Sequence, residues 1–187
     1  MNQPPFVVYS PARTGSSLIA GNLEKHFGVP AVHTHDYAWT PPDDTYTAII
    51  SLREPLIDSV LSVIMAEYTD EYATYTDKTI APFRVHPGKF ATLYKIHRDF
   101  YGLIDRSRFQ HVIEIWYDQL INDPNYLFAK LGIEAKTMYN IRQRSPYRYY
   151  DLFTNINQLQ MIAERLDKFD DNLIELMDND TDEATFQ

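Results

Sequence analysis

The sequence predicts an α/β fold, a three-layer sandwich with a central, mostly parallel sheet covered by helices on both faces. Three observations carry this expectation. Short β-branched and aromatic runs alternate along the chain with longer stretches in which apolar residues recur at helical spacing. Each such run gives way to a turn rich in glycine, proline, serine or arginine that leads into the next helical stretch, as in successive strand–helix units. The 187 residues, 44% of them hydrophobic and 14% aromatic, suit one well-packed domain over 1–187 with no linker or repeat. A chain of that size buries about 70% of its unfolded surface.

In order, Phe6 to Tyr9 reads as a buried strand that ends at Ser10-Pro11. Gly15 to Phe27 reads as a helix, with Leu18, Ile19, Leu23 and Phe27 on its apolar face and Gly28 to stop it. Ala31 to Thr34 is a second strand, followed by the loop Trp39-Thr40-Pro41-Pro42-Asp43-Asp44. Thr47 to Leu52 is a third strand. Pro55 then opens a helix carrying Leu56, Ile57, Val60, Leu61, Ile64 and Met65. Tyr68 to Pro87 is polar, aromatic and irregular, and is expected to face the substrate. Lys89 to Ile104 is helical again, His111 to Trp116 is a fourth strand, and a helix follows from about Pro124 to Leu131. Arg142 to Asp151 reads as a basic, tyrosine-rich loop. A long helix from about Ile156 to Met177 buries Leu159, Ile162, Ala163, Leu166 and Phe169, and the acidic tail 178–187 is expected to fray.

Composition narrows the function. The formal net charge of −9, from 26 acidic against 17 basic residues, argues against a nucleic-acid partner. The absence of cysteine excludes disulfides, thiolate catalysis and cysteine zinc sites. Neither a signal peptide nor an apolar run of membrane-spanning length is seen, so no membrane partner is expected and the expected address is the cytoplasm. His86, His97 and His111 lack metal-ligand spacing, and a core or surface role suits them better. Trp39 reads as a loop anchor, and Tyr68, Tyr72 and Tyr75 read as packing residues.

The chemistry-bearing residues fall where strands run into helices, which in a parallel sheet is where ligands bind. Ser10 to Ser17 leaves the first strand, His33 to Asp36 the second, and Arg53-Glu54-Pro55 the third. In the first loop Gly15 lets the backbone approach an oxyanion, and the free N–H groups of the helix start point at it. Ser16 and Ser17 add hydroxyl donors and Arg13 a charged planar fork. The competing interpretation is an ordinary helix cap made by Thr14 or Ser16. The loop departs from the usual nucleoside-triphosphate pattern, which needs two glycines and a Lys-Ser/Thr pair. Strand three ends in Arg53, an anion reader, where a magnesium-holding aspartate would be expected of such an enzyme.

Ala12-Arg13-Thr14-Gly15-Ser16-Ser17-Leu18 resembles the 5′-phosphosulfate loop of the sulfotransferases in its arginine-containing form. Leu52-Arg53-Glu54-Pro55, with serines on the following helix, resembles the 3′-phosphate motif of the same family. Glu114-Ile115-Trp116-Tyr117-Asp118-Gln119-Leu120 through Asp123-Pro124 and Leu131-Gly132-Ile133 is similar to the family's late strand and its continuation. Tyr149-Tyr150-Asp151 before the last helix is similar to its C-terminal ending. These matches lie in family order.

The resemblance implies a P-loop-like sulfotransferase fold and transfer of a sulfuryl group from 3′-phosphoadenosine 5′-phosphosulfate (PAPS), as co-substrate. The acceptor would be the hydroxyl or amine of a small molecule or glycan, and the chemistry calls for no metal. By the same resemblance Arg13, Thr14, Gly15, Ser16 and Ser17 hold the 5′-phosphate, with Arg13 acting also on the leaving-group charge, and Arg53 binds the 3′-phosphate. The assisting serine of the family falls at Leu61 here, which leaves Ser59 and Ser62 as alternatives. His35 is the candidate base, because Val32-His33-Thr34-His35 resembles the family's strand-two ending, and a histidine can take a proton near neutrality. His33, on the same side of the strand, is the alternative. The glycine-rich adenine clamp of the family's cytosolic members is absent, and Arg142, Arg144 and Arg148 with Tyr147 are its visible replacement. Two rival functions remain: an ATP-dependent, kinase-like phosphoryl transferase, and a nucleotide-binding member without catalysis.

Overall fold

A computed structural model describes residues 5–70, 80–133, 138–139 and 149–168. Four strands, β1 (Phe6–Tyr9), β2 (Ala31–Thr34), β3 (Thr47–Leu52) and β4 (Val112–Trp116), form one sheet in the order β2-β1-β3-β4. Every pairing is parallel, with Val8 opposite both His33 and Ile49, and Leu52 opposite Trp116. The expected mostly parallel sheet is therefore wholly parallel among the described residues. Parallel strands are joined by crossovers, here α1 (Ser16–Phe27) between β1 and β2, and α2 (Leu56–Thr69) with α3 (Pro87–Leu103) between β3 and β4.

Alternation along the strands sends side chains to two cores. Phe6 and Val8 of β1, Ile49 and Ile115 pack with Ile19 and Leu23 of α1 on one face. The same cluster takes in Leu120 of α4 (Tyr117–Asn122) and Leu127 and Phe128 of α5 (Tyr126–Lys130). Val7, Tyr9, Ala48 and Ile50 point the other way, onto Phe100 and Ile104. A third cluster joins α2, α3 and α7 (Ile156–Lys168) around Leu61, Phe90, Leu159 and Leu166. β1 and β3 are flanked on both sides, which is why they read as continuous apolar runs. β2, at the edge, is only partly covered.

The strands fall where the sequence puts them, but several helices do not. Tyr117–Asn122 is helical, which extends the structure left between the fourth strand and Pro124, and α5 begins only at Tyr126. Tyr68 lies in the last turn of α2, and Pro87 opens α3 with the His86 side chain accepting from the Lys89 N–H at 3.4 Å, so neither belongs to an irregular stretch. Tyr149–Leu152 forms a short helix, α6, where a loop was expected. The last helix buries Leu159, Ile162, Ala163 and Leu166 as anticipated and is described through Lys168; Phe169 and the tail lie outside the described residues.

Candidate anion site at the carboxyl edge of the sheet

The strand order reverses at β1 and β3. The chain leaves β1 toward β2 on one side, then returns past β1 to build β3 and β4 on the other. The loops that follow β1 and β3 lead from there into α1 and α2, and in open parallel sheets the crevice outside two such strand ends is where ligands bind.

The loop after β1 has a backbone that could hold an anion. Gly15 has φ 86°, and Arg13, which carries a side chain, has φ 67°. Two left-handed residues flanking Thr14 curl the backbone and turn N–H groups inward. Gly15 is needed twice over, because a Cβ there would lie 2.7 Å from Cδ2 of Tyr117 as well as strain the backbone. No side chain caps α1, so the helix-cap interpretation of Thr14 and Ser16 fails. The Thr14 hydroxyl is turned back to donate to the Pro11 carbonyl at 3.1 Å. The first intrahelical bond runs from the Ile19 N–H to the Gly15 carbonyl, and no acidic residue stands in the first turn. The N–H groups of Ser16 and Ser17 precede that bond, and the positive end of the helix is uncancelled. Ser16 is buried and Ser17 exposed.

Four contacts fix this loop against the rest of the crevice. The Ser51 hydroxyl, at the end of β3, donates to the Thr14 carbonyl at 2.5 Å. Nη1 of Arg53 donates to the Arg13 carbonyl at 2.8 Å. Nε of Arg13 donates to the Ser62 hydroxyl on α2 at 3.0 Å. The Tyr117 ring touches Gly15, and the Arg53 guanidinium lies over that ring, 4.8 Å from its centroid. Two arginines from separate strands thus meet in a protein whose formal net charge is −9.

The two helix serines make different contacts. Ser62 faces Arg13. Ser59 is fully buried, donates to the Leu56 carbonyl at 3.0 Å, and meets Nδ1 of His97 at 2.9 Å. Leu61 is buried in the helical core. His97, for which a core or surface role was expected, is buried. Burial, then the nearby positive charges of His35 and Arg53, push its pKa down to about 4. The Tyr101 hydroxyl donates to the Ser51 carbonyl at 3.2 Å, and burial raises its pKa while Arg53 opposes the rise.

His35 stands at the carboxyl end of β2, exposed, with Nδ1 2.8 Å from the Ser10 carbonyl and 3.4 Å from the Ser10 hydroxyl. A carbonyl only accepts, so Nδ1 carries the proton, and in the neutral ring Nε2 holds the lone pair. The His33 and His35 rings are neighbours at 5.8 Å between centroids, on one side of the strand as expected. Trp39 anchors its loop: the Tyr9 hydroxyl donates to its carbonyl at 2.7 Å, and its ring packs on Tyr9 and Tyr46. Tyr68 stacks on Phe83 at 3.8 Å and is a packing residue.

Arg142, Arg144, Tyr147 and Arg148, expected to replace an adenine clamp, lie outside the described residues, as do Tyr72 and Tyr75. A cavity of about 380 Å³ lined by Asp118, Gln119, Asn122, Asp123 and Tyr126 contains none of the loop residues. Among the described residues no group of three or more histidine, aspartate or glutamate side chains is arranged to hold a metal, and no helix is long and apolar enough to cross a membrane.

Sequence reading missed three contributors. Ser51 left a signal, a hydroxyl inside an apolar strand one residue before Leu52-Arg53. Tyr117 was visible only as part of a motif, and Tyr101 left no signal at all. No family model, no curated protein and no solved structure matches the chain.

Proposed function

We propose that this chain is a PAPS-dependent sulfotransferase with a P-loop-like fold. The observation that carries this reading is the bond from Arg53 to the Arg13 carbonyl, which joins anion-binding groups from the loops after β1 and β3 in one crevice. A nucleotide bearing two separated phosphate-type groups matches two such readers better than one bearing a single phosphate chain. In this reading the curled loop Arg13 to Ser17 takes the 5′-phosphosulfate, and preorganised donors of that kind stabilise the charge that builds on the leaving phosphate. Arg53 takes the 3′-phosphate. Ser62, hydrogen-bonded to Arg13, helps hold the two halves together.

The transfer is balanced as follows. The acceptor oxygen or nitrogen forms a bond to sulfur while the bond from sulfur to the 5′-phosphate oxygen breaks, releasing 3′-phosphoadenosine 5′-phosphate. The acceptor's proton passes to Nε2 of His35. His35 is preferred to His33 because the Ser10 carbonyl holds its Nδ1 proton and turns the lone pair outward.

Calorimetric titration with 3′-phosphoadenosine 5′-phosphate, ATP and AMP tests the reading. The expected order is tightest binding of the 3′-phosphorylated nucleotide, with Arg53→Ala erasing its advantage over AMP. Equal binding of the three, a retained advantage in the variant, or magnesium-dependent preference for ATP would overturn it, the last in favour of phosphoryl transfer.

A further inference from the structure

We infer that Tyr117 is a positioning residue whose ring couples the two anion loops, so that the 3′-phosphate is read only while the Gly15 turn is seated. The inference rests on the function proposed above and deepens it. Tyr117 is the first residue after β4 and the first of α4, beside β3 at the register Leu52 opposite Trp116. One ring edge presses on Gly15: a Cβ there would lie 2.7 Å from Cδ2 and 3.1 Å from Cε2. The ring face carries the Arg53 guanidinium at 4.8 Å, within the range of a cation–π contact. Arg53 in turn holds the Arg13 carbonyl.

Gly15, Tyr117, Arg53 and Arg13 therefore form a closed circuit in which each neighbour limits the next. A long arginine side chain is otherwise free to occupy many rotamers, and an anion must then supply the ordering free energy. The ring supplies it in advance. Because the contact is made by the ring face and edge, the phenol hydroxyl is not required.

The test compares wild type, Tyr117→Phe, Tyr117→Leu and Tyr117→Met, with 3′-phosphoadenosine 5′-phosphate and AMP as probes, and thermal melting to establish that each variant is folded. The readout is the ratio of the two affinities, which a general loss of stability does not move. Tyr117→Phe should keep the wild-type ratio. Tyr117→Leu should lower it on the order of tenfold, the size expected from losing a partly desolvated cation–π contact. Tyr117→Met keeps bulk against Gly15 without a π face and should lower the ratio too, which covers the case in which the leucine variant does not fold. An unchanged ratio in the folded leucine or methionine variant overturns the inference, and so does a loss in Tyr117→Phe equal to that in Tyr117→Leu. If wild type itself shows no preference for the 3′-phosphate, the proposed function fails first and takes this inference with it.

Discussion

The crevice between β1 and β3 and the edge strand β2 carry the two halves of the candidate site, and they are held in opposite ways. In the crevice Thr14, Ser16 and Ser51 are buried, and the loop is tied by Ser51, Arg53, Ser62 and the Tyr117 ring. At the edge, His35 is exposed and bound through Nδ1 to Ser10. The difference suits the tasks proposed for the two halves. An anion site gains from donors that need no rearrangement when charge arrives, whereas a proton acceptor needs one ring nitrogen reachable by the acceptor.

The largest effect separates the halves outright. His35→Ala should leave nucleotide affinity and melting temperature at wild-type values while lowering transfer by about a hundred- to ten-thousandfold, the usual worth of a general base. Full activity in that variant would move the role to His33; parallel loss of binding would mean the halves are not separable. Retained turnover in a His33→Ala control completes the comparison.

His97, buried on α3 against Ser59, feels charges from both halves, Arg53 and His35, and it predicts a pH dependence. Its native pKa is lowered from 6.5 to about 4, so the unfolded chain takes up the proton first as the pH falls. The native state is then undiminished above about pH 6.5 and loses about 3 kcal/mol of stability between there and pH 4. Denaturant unfolding at several pH values measures this slope, and His97→Gln should flatten it.

Gly15→Ala attacks the crevice at its tightest point. The substitution meets both a left-handed φ and the Tyr117 ring, and should cost about 1–3 kcal/mol and impair nucleotide binding. The same change at Gly28, where φ is 64° but no atom lies within 4 Å of the added Cβ, should cost stability alone. Equal binding loss at both positions would remove the special status of the loop. Smallest is Ser51→Ala, which leaves the Thr14 carbonyl without its hydroxyl donor and should cost about 1–2 kcal/mol in chemical denaturation, with nucleotide affinity falling in step.

Much of this was legible before folding was considered. Phe6–Tyr9, Ala31–Thr34 and Thr47–Leu52 were readable to the residue, because short runs rich in β-branched and apolar residues, each next to a turn-forming or charged residue, have few other solutions in a parallel sheet. α4 was not: six residues with Asp118 in the first turn and Asp123 at the end offer too few turns for a helical period to emerge. The lengths of α2 and α3 were also misjudged, since Tyr68 stacks on Phe83 and His86 caps a helix, and neither partner is local apolar pattern.

In the site itself, residue type and order alone singled out Arg13, Gly15 and Arg53 as candidate anion readers, because a glycine between a strand and a helix and arginines after strand ends depend only on neighbours in the chain. Which serine meets Arg13, that Ser51 and Arg53 bond the loop after β1, and that Tyr101 and Tyr117 reach Ser51 and Arg53 were decided by the tertiary structure. Those contacts join residues at least 37 positions apart, and local pattern carries no information about which side chains a sheet order of β2-β1-β3-β4 will bring together.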